Sequence, residues 1–158
     1  MPQISNYTYD EITIGQTATY SKLIEERDVQ LFAVVSGDVN PVHLDAAFAA
    51  TTQFRECIAH GMLSGAVIST AIAMELPGPG TIYLGQTLRF TLPVRLGDTI
   101  TVHLEVIDKQ DKRGIVSIDC KVFNQHEKLV LTGTAEVMAP KEKLVLERPV
   151  LPRVRIGD

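Results

Sequence analysis

The periodicity of its apolar positions divides the chain into three zones. In the first, which runs to about Thr52, Ala18 to Leu23 reads as a strand, and Glu26 to Ser36 as a helix with Leu31, Phe32 and Val35 on one face. Gly37 is a plausible helix stop, because glycine adopts the left-handed conformation with which helices commonly end. Pro41 disfavours helical geometry at Asn40, and Asp45 sits where it can cap a short Ala-rich helix running through Ala50. The stretch from Asp38 to His43 is therefore expected to be a loop between helices.

The second zone is an apolar run, Met62 to Met74, with no charged residue. At about 13 residues it falls short of the roughly 20 needed to span a bilayer, so a membrane segment is not expected. Small residues recur at Ser64, Gly65, Ala66, Ser69, Ala71 and Ala73, which suits a central helix covered on every side by close neighbours. Pro77-Gly78-Pro79-Gly80 ends it. In the third zone the period changes. Tyr83 to Phe90, Thr99 to Ile107, Ile115 to Phe123 and Val130 to Met138 are strand-length, rich in β-branched residues and separated by polar turns. Strands following one buried helix predict an α+β architecture in which an antiparallel sheet curls around that helix. Residues 139 to 158 contain Pro140, Pro149 and Pro152 and are expected to run extended over the surface, their charges solvated.

Composition narrows the function classes. A chain of 158 residues with 45% hydrophobic content fits one domain with a substantial core. With 15 Lys and Arg against 19 Asp and Glu, the net charge of −4 argues against nucleic acid or anionic lipid as the main partner. The first residues lack the basic segment and apolar run of a signal peptide, which makes the cytoplasm the expected compartment. Cys57 and Cys120 are far apart and have no CxxC spacing, so neither a disulfide framework nor a zinc site is suggested; both read as small core residues.

The most informative stretch is Ser36-Gly37-Asp38-Val39-Asn40-Pro41-Val42-His43. On a continuous helix Asp38 and His43 would point about 140° apart, but Gly37 and Pro41 break the helix and let both side chains turn onto one water molecule. An Asp and a His so placed can take a proton from water and supply one to carbon, as hydration of an activated alkene requires. Asn40, donor and acceptor at once, is suited to orienting either of them. The plainer alternative is that Asp38 caps the turn and His43 merely packs. A second motif, Ala59-His60-Gly61-Met62, opens the apolar helix, where free backbone amides and the positive end of the dipole can receive an oxyanion. Gly61 lets a thioester carbonyl approach the backbone closely. His60 is a candidate support for the site, and it equally suits a helix-start residue that packs and makes one hydrogen bond.

Ser36-Gly37-Asp38-x-Asn40-Pro41-x-His43 resembles the hydratase 2 motif of the MaoC-like family. Ile58-Ala59-His60-Gly61-Met62-Leu63 and the later Gly78-x-Gly80-Thr81-Ile82-Tyr83-Leu84-Gly85-Gln86 strengthen the likeness, which covers about Tyr9 to Pro140. Within the family the chain looks like the stand-alone bacterial (R)-specific enoyl-CoA hydratases that feed polyhydroxyalkanoate synthesis from β-oxidation. The resemblance implies a hot-dog fold, a homodimer, and Asp38 and His43 as the catalytic pair for syn addition of water to a trans-2-enoyl-CoA. It further implies the Gly61 N–H as oxyanion donor and Ser69 as a support of the pair, although Ser69 also reads as a helix serine bonded to a backbone carbonyl. No metal or redox cofactor is implied, coenzyme A being part of the substrate. The rivals are a hot-dog thioesterase, a dehydratase acting on acyl carrier protein, and a non-catalytic acyl-CoA-binding module.

Overall fold

Alternating burial along the β-branched runs builds the sheet. In a computed structural model that describes residues 1–157, the elements in chain order are β1 (Gln3–Ser5), β2 (Thr17–Leu23), α1 (Glu26–Ser36), α2 (Pro41–Leu44), α3 (Ala46–Ala50), α4 (Gly61–Met74), β3 (Ile82–Gln86), β4 (Arg89–Phe90), β5 (Thr99–Gln110), β6 (Ile115–Phe123), β7 (Leu129–Met138) and β8 (Val145–Glu147). Successive strand residues point to opposite faces. Ile100, Val102, Leu104 and Val106 of β5 thus line the buried face with Val116, Ile118, Cys120 and Val122 of β6. The main sheet is antiparallel with order β2-β5-β6-β7-β3, and β4 also pairs with β7. Leu63, Val67, Ile68, Ala71 and Ile72 of α4 join those side chains in one core cluster. No helix among the described residues is long and apolar enough to cross a membrane.

Several expectations need correcting. The Tyr83 to Phe90 strand is broken into β3 and β4. The cause is a crossing: a Cβ on Gly133 of β7 would lie 1.8 Å from the Thr87 carbonyl oxygen, so only glycine lets the backbone bow over β7 there. β5 runs on past Ile107 to Gln110 through a register shift between Val106 and Asp108. The buried residues of α1 are Val29 and Ala33, while Val35 is 85% exposed. Nor is α4 covered on every side: Met62, Ala66 and Ala73 form an exposed stripe at helical spacing. Gly61 beneath Phe90 and Gly65 beside Leu88 place that end of α4 against the β3–β4 segment.

The C-terminal region is more than a surface run. Ala139 and Pro140 are buried, and β8 pairs with β1 in a small second sheet that periodicity did not reveal. Asn6, fully buried, ties these pieces together: its Nδ2 donates to the carbonyls of Pro79 (3.0 Å) and Glu142 (2.9 Å), and its Oδ1 accepts from the Leu144 N–H (3.0 Å). Lys143 is not merely solvated either, since its ammonium pairs with Glu11 at 3.1 Å. Cys120 lies in the core as expected, whereas Cys57 is only half-buried.

Candidate active site

The segment after α1 is shaped by three local devices. Gly37 ends the helix in the left-handed region (φ 82°), its N–H bonded to the Ala33 carbonyl. Asp38 Oδ1 then accepts from the Asn40 N–H at 3.0 Å, and Asn40 Oδ1 accepts from the Val42 N–H at 3.2 Å. Asn40 is thereby the N-cap of α2, with Pro41 at its first position, where a missing N–H costs nothing. The expected loop is therefore partly helical, and His43 rides on a single helical turn.

Folding brings Asp38, His43 and His60 together. His43 Nδ1 lies 2.8 Å from the Ile58 carbonyl, which can only accept, so this nitrogen carries the proton and the lone pair is left on Nε2. That Nε2 stands 3.9 Å from Asp38 Oδ2, with the carboxylate half exposed and the imidazole side chain 10% exposed. A separation of 3.9 Å is too long for a direct hydrogen bond and suits a shared third group. Asp38 caps its turn with one oxygen while the other faces the imidazoles, so the capping role leaves the second oxygen available for chemistry. His60, 3% exposed, donates from Nε2 to the Asp38 main-chain carbonyl at 3.0 Å and stacks on the His43 ring with centroids 3.8 Å apart.

Gly61 is the first residue of α4, so its N–H has no acceptor within the helix. It opens onto a pocket of about 300 Å³ whose walls include Phe54, Ser64, Phe90, Leu92, Val94 and Val130. A Cβ at Gly61 would come within 3.0 Å of the Phe90 ring, so a methyl group there meets Phe90 before it meets any acyl chain. The sequence does not mark Phe54, Ser64 or Phe90 as pocket residues. Phe90 lay inside an ordinary strand pattern and Ser64 inside the small-residue run, and neither carries a local signal of its neighbour across the fold. Ser69 lies further along α4, half-buried, outside the hydrogen bonds that link Asp38, His43 and His60.

Asp38, His43 and His60 each bring a donor atom within 4.8 Å of the others, as a metal site would. A metal ion sits in the plane of each imidazole along its nitrogen lone pair, at about 2.0–2.1 Å for zinc. His60 Nε2 already spends its proton on a carbonyl, and its ring is stacked on that of His43 with only 25° between the planes, so the trio is a poor cation cage. Burial, followed by the charges of Asp45, Glu26 and Glu56, pushes the Cys57 thiol up, and burial pushes Cys120 up to about 11; neither is suited to act as a thiolate nucleophile.

A family model described as "MaoC like domain" matches residues 9–126. The chain belongs to the MaoC-like family. Among MaoC-like relatives it is 43% identical to the (R)-specific enoyl-CoA hydratase of Aeromonas caviae over 129 residues, 82% of this chain and 96% of that one. The (R)-specific enoyl-CoA hydratase of Rhodospirillum rubrum is 42% identical, covering 84% of this chain and 91% of that one. The unliganded R-hydratase PhaJ1 from Pseudomonas aeruginosa superposes with a TM-score of 0.94 at 62% identity, covering 99% of this chain and 100% of that one. The fold is the hot-dog fold the sequence led us to expect, an antiparallel sheet around the helix α4.

Proposed function

We propose that the chain is an (R)-specific 2-enoyl-CoA hydratase, converting trans-2-enoyl-CoA to (R)-3-hydroxyacyl-CoA with Asp38 and His43 as the catalytic pair. The observation that carries this reading is the 3.9 Å gap between Asp38 Oδ2 and His43 Nε2, wide enough for both to bind one water. The names of the Aeromonas caviae and Rhodospirillum rubrum relatives support the hydratase chemistry and its hand. An Aeromonas caviae hydratase structure of 43% identity and TM-score 0.79 is described as involved in PHA biosynthesis, and we assign the same destination to this product.

In the proposed reaction the acyl chain enters the pocket beside Gly61, whose N–H donates to the thioester oxygen. That bond strengthens as negative charge gathers there, making C3 electrophilic. His43 accepts a hydrogen bond at Nε2 and so holds the water, Asp38 takes its proton as the oxygen bonds to C3, and the proton held by the pair passes to C2. One water supplies both the hydroxyl and the hydrogen, so no metal or redox cofactor enters the balance. Asn40 shapes the turn that presents Asp38, and Ser69 is assigned a supporting role from α4. The thioester is an acyl-CoA in this reading, and we place the reaction in the cytoplasm.

We further propose a two-fold homodimer. β3 is an edge strand carrying exposed Ile82, Tyr83 and Leu84, and α4 bears an open stripe of Met62, Ala66 and Ala73. Pairing with a second copy would cover both features. Light scattering should then give twice the 17.3 kDa chain mass, and a monomer mass would sink the dimer. For the activity, crotonyl-CoA should lose its enoyl absorbance without release of free thiol. Thiol release would point instead to a thioesterase, and turnover confined to carrier-protein thioesters to a dehydratase of that class.

A further inference from the structure

Local hydrogen bonds give the Asp38 turn its shape without tying it to the body of the protein. Its N–H donates to Ser36 Oγ at 3.2 Å, and its carboxylate accepts from Asn40, both close in sequence. The long-range tie comes from His60. This residue sits at the N-cap of α4, anchored by the Ala59 N–H bonded to the Val94 carbonyl at 2.7 Å and by its own carbonyl accepting from the Leu63 N–H at 3.0 Å. From that fixed point its Nε2 reaches the Asp38 main-chain carbonyl at 3.0 Å. Its ring lies between two others, stacked on His43 at 3.8 Å and tilted against Phe32 at 4.9 Å.

We propose that His60 is the positioning residue of the site, setting Asp38 through a backbone hydrogen bond and His43 through ring stacking from one buried side chain. This rests on the hydratase reading. The two contacts serve different partners. The hydrogen bond fixes where the Asp38 carboxylate begins, and the stack fixes the tilt of the ring whose Nε2 holds the water, so the gap between the pair is set by a residue whose own Nε2 proton is committed to the Asp38 carbonyl. One further detail agrees. His60 Nδ1 is buried with no hydrogen-bond partner among the described residues. In the tautomer required by the Asp38 carbonyl that nitrogen bears only a lone pair, so the unpartnered group is an acceptor and not a stranded donor.

The test uses the full chain with crotonyl-CoA, folding being checked by circular dichroism. His60→Ala should lower kcat about 10- to 100-fold, as expected when reacting groups are misplaced by about an ångström, with KM changed by less than about threefold. His60→Gln keeps a side-chain donor and His60→Phe keeps the ring, so each should recover part of the loss, and both stand in if the Ala variant fails to fold. In an Asp38→Asn background the same His60→Ala change should cost clearly less than in the wild type, because only the His43 arm is left for it to act through. Wild-type kcat in a folded His60 variant, or an equal fold-loss in both backgrounds, would overturn the proposal. Nitrogen-15 NMR of the wild type supplies a readout independent of activity: His60 should carry its proton on Nε2 and none on Nδ1, and the reverse tautomer would also overturn it. Were the wild type inactive on crotonyl-CoA, the hydratase reading would fall while the NMR result still reported on the His60 bond.

Discussion

The sheet from β5 to β7 and the segment joining Gly37 to His43 are built on opposite principles. In the sheet, burial alternates residue by residue, and any apolar side chain of suitable volume satisfies a position such as Ile118 or Val122. In the segment, Asp38 and Asn40 are exposed, and its shape rests on Gly37 in a left-handed conformation, two side-chain caps and a proline at the first position of a one-turn helix. The sheet is specified by a pattern and the segment by individual residues. Substitutions in the sheet should therefore act on stability and spare turnover, whereas those in the segment should act on turnover beyond any modest loss of stability.

The sharpest way to break that contrast is at the pair itself. Asp38→Ala or His43→Ala should lower kcat by about 10² to 10⁴ each while thermal unfolding stays near wild type, and Asp38→Asn should do so with less change of shape. A folded variant with near-wild-type turnover would show that the pair is misassigned. Next comes the helix start. Gly61→Pro removes the proposed donor at a position where proline is tolerated, and loss of one such donor costs about 2.7 to 4 kcal/mol, falling on kcat more than on KM. Gly61→Ala keeps the N–H but presses a methyl group on Phe90, so it should lose less, and adding Phe90→Leu should restore part of that loss. An unchanged kcat in folded Gly61→Pro would move the oxyanion elsewhere.

Two milder changes separate stability from turnover. Asn40→Ala removes a helix cap, worth about 1 kcal/mol of stability, and Ile118→Val removes a buried methyl group, worth about 0.5 to 1.5 kcal/mol. Denaturant unfolding should find similar losses, but only Asn40→Ala should reduce kcat. If Ile118→Val slows turnover as much, the two regions are not separable. The smallest effect concerns the cysteines. With both thiols pushed up by burial, iodoacetamide at neutral pH should modify half-buried Cys57 slowly and Cys120 only on unfolding, as peptide mass mapping would reveal.

The same division explains what could be read from the sequence. Where a period runs long enough, as in α1, β6 and β7, pattern placed the element almost to the residue, and the same reading set α4 as the central helix. Periodicity is silent on contacts between distant segments. The β1–β8 pairing involves strands of three residues each, and the break between β3 and β4 depends on Gly133 meeting Thr87 across the sheet. Val35 looked like part of the buried face because its spacing fits, yet the helix turns Val29 and Ala33 inward. At the site, the type and spacing of Asp38, His43 and Gly61 marked them as candidates. The Asp38 carbonyl as partner of His60, the stacking of His60 on His43 and the Phe90 wall over Gly61 needed the fold, since no local pattern encodes them.

Stereospecific hydration of an enoyl thioester is read from the configuration of the product formed from crotonyl-CoA and water. Chiral analysis after hydrolysis should return (R)-3-hydroxybutyrate, formed by the wild type and lost in parallel with the enoyl-absorbance signal in Asp38→Ala. An (S) product, or crotonyl-CoA left unhydrated by the folded wild-type protein, would contradict the account.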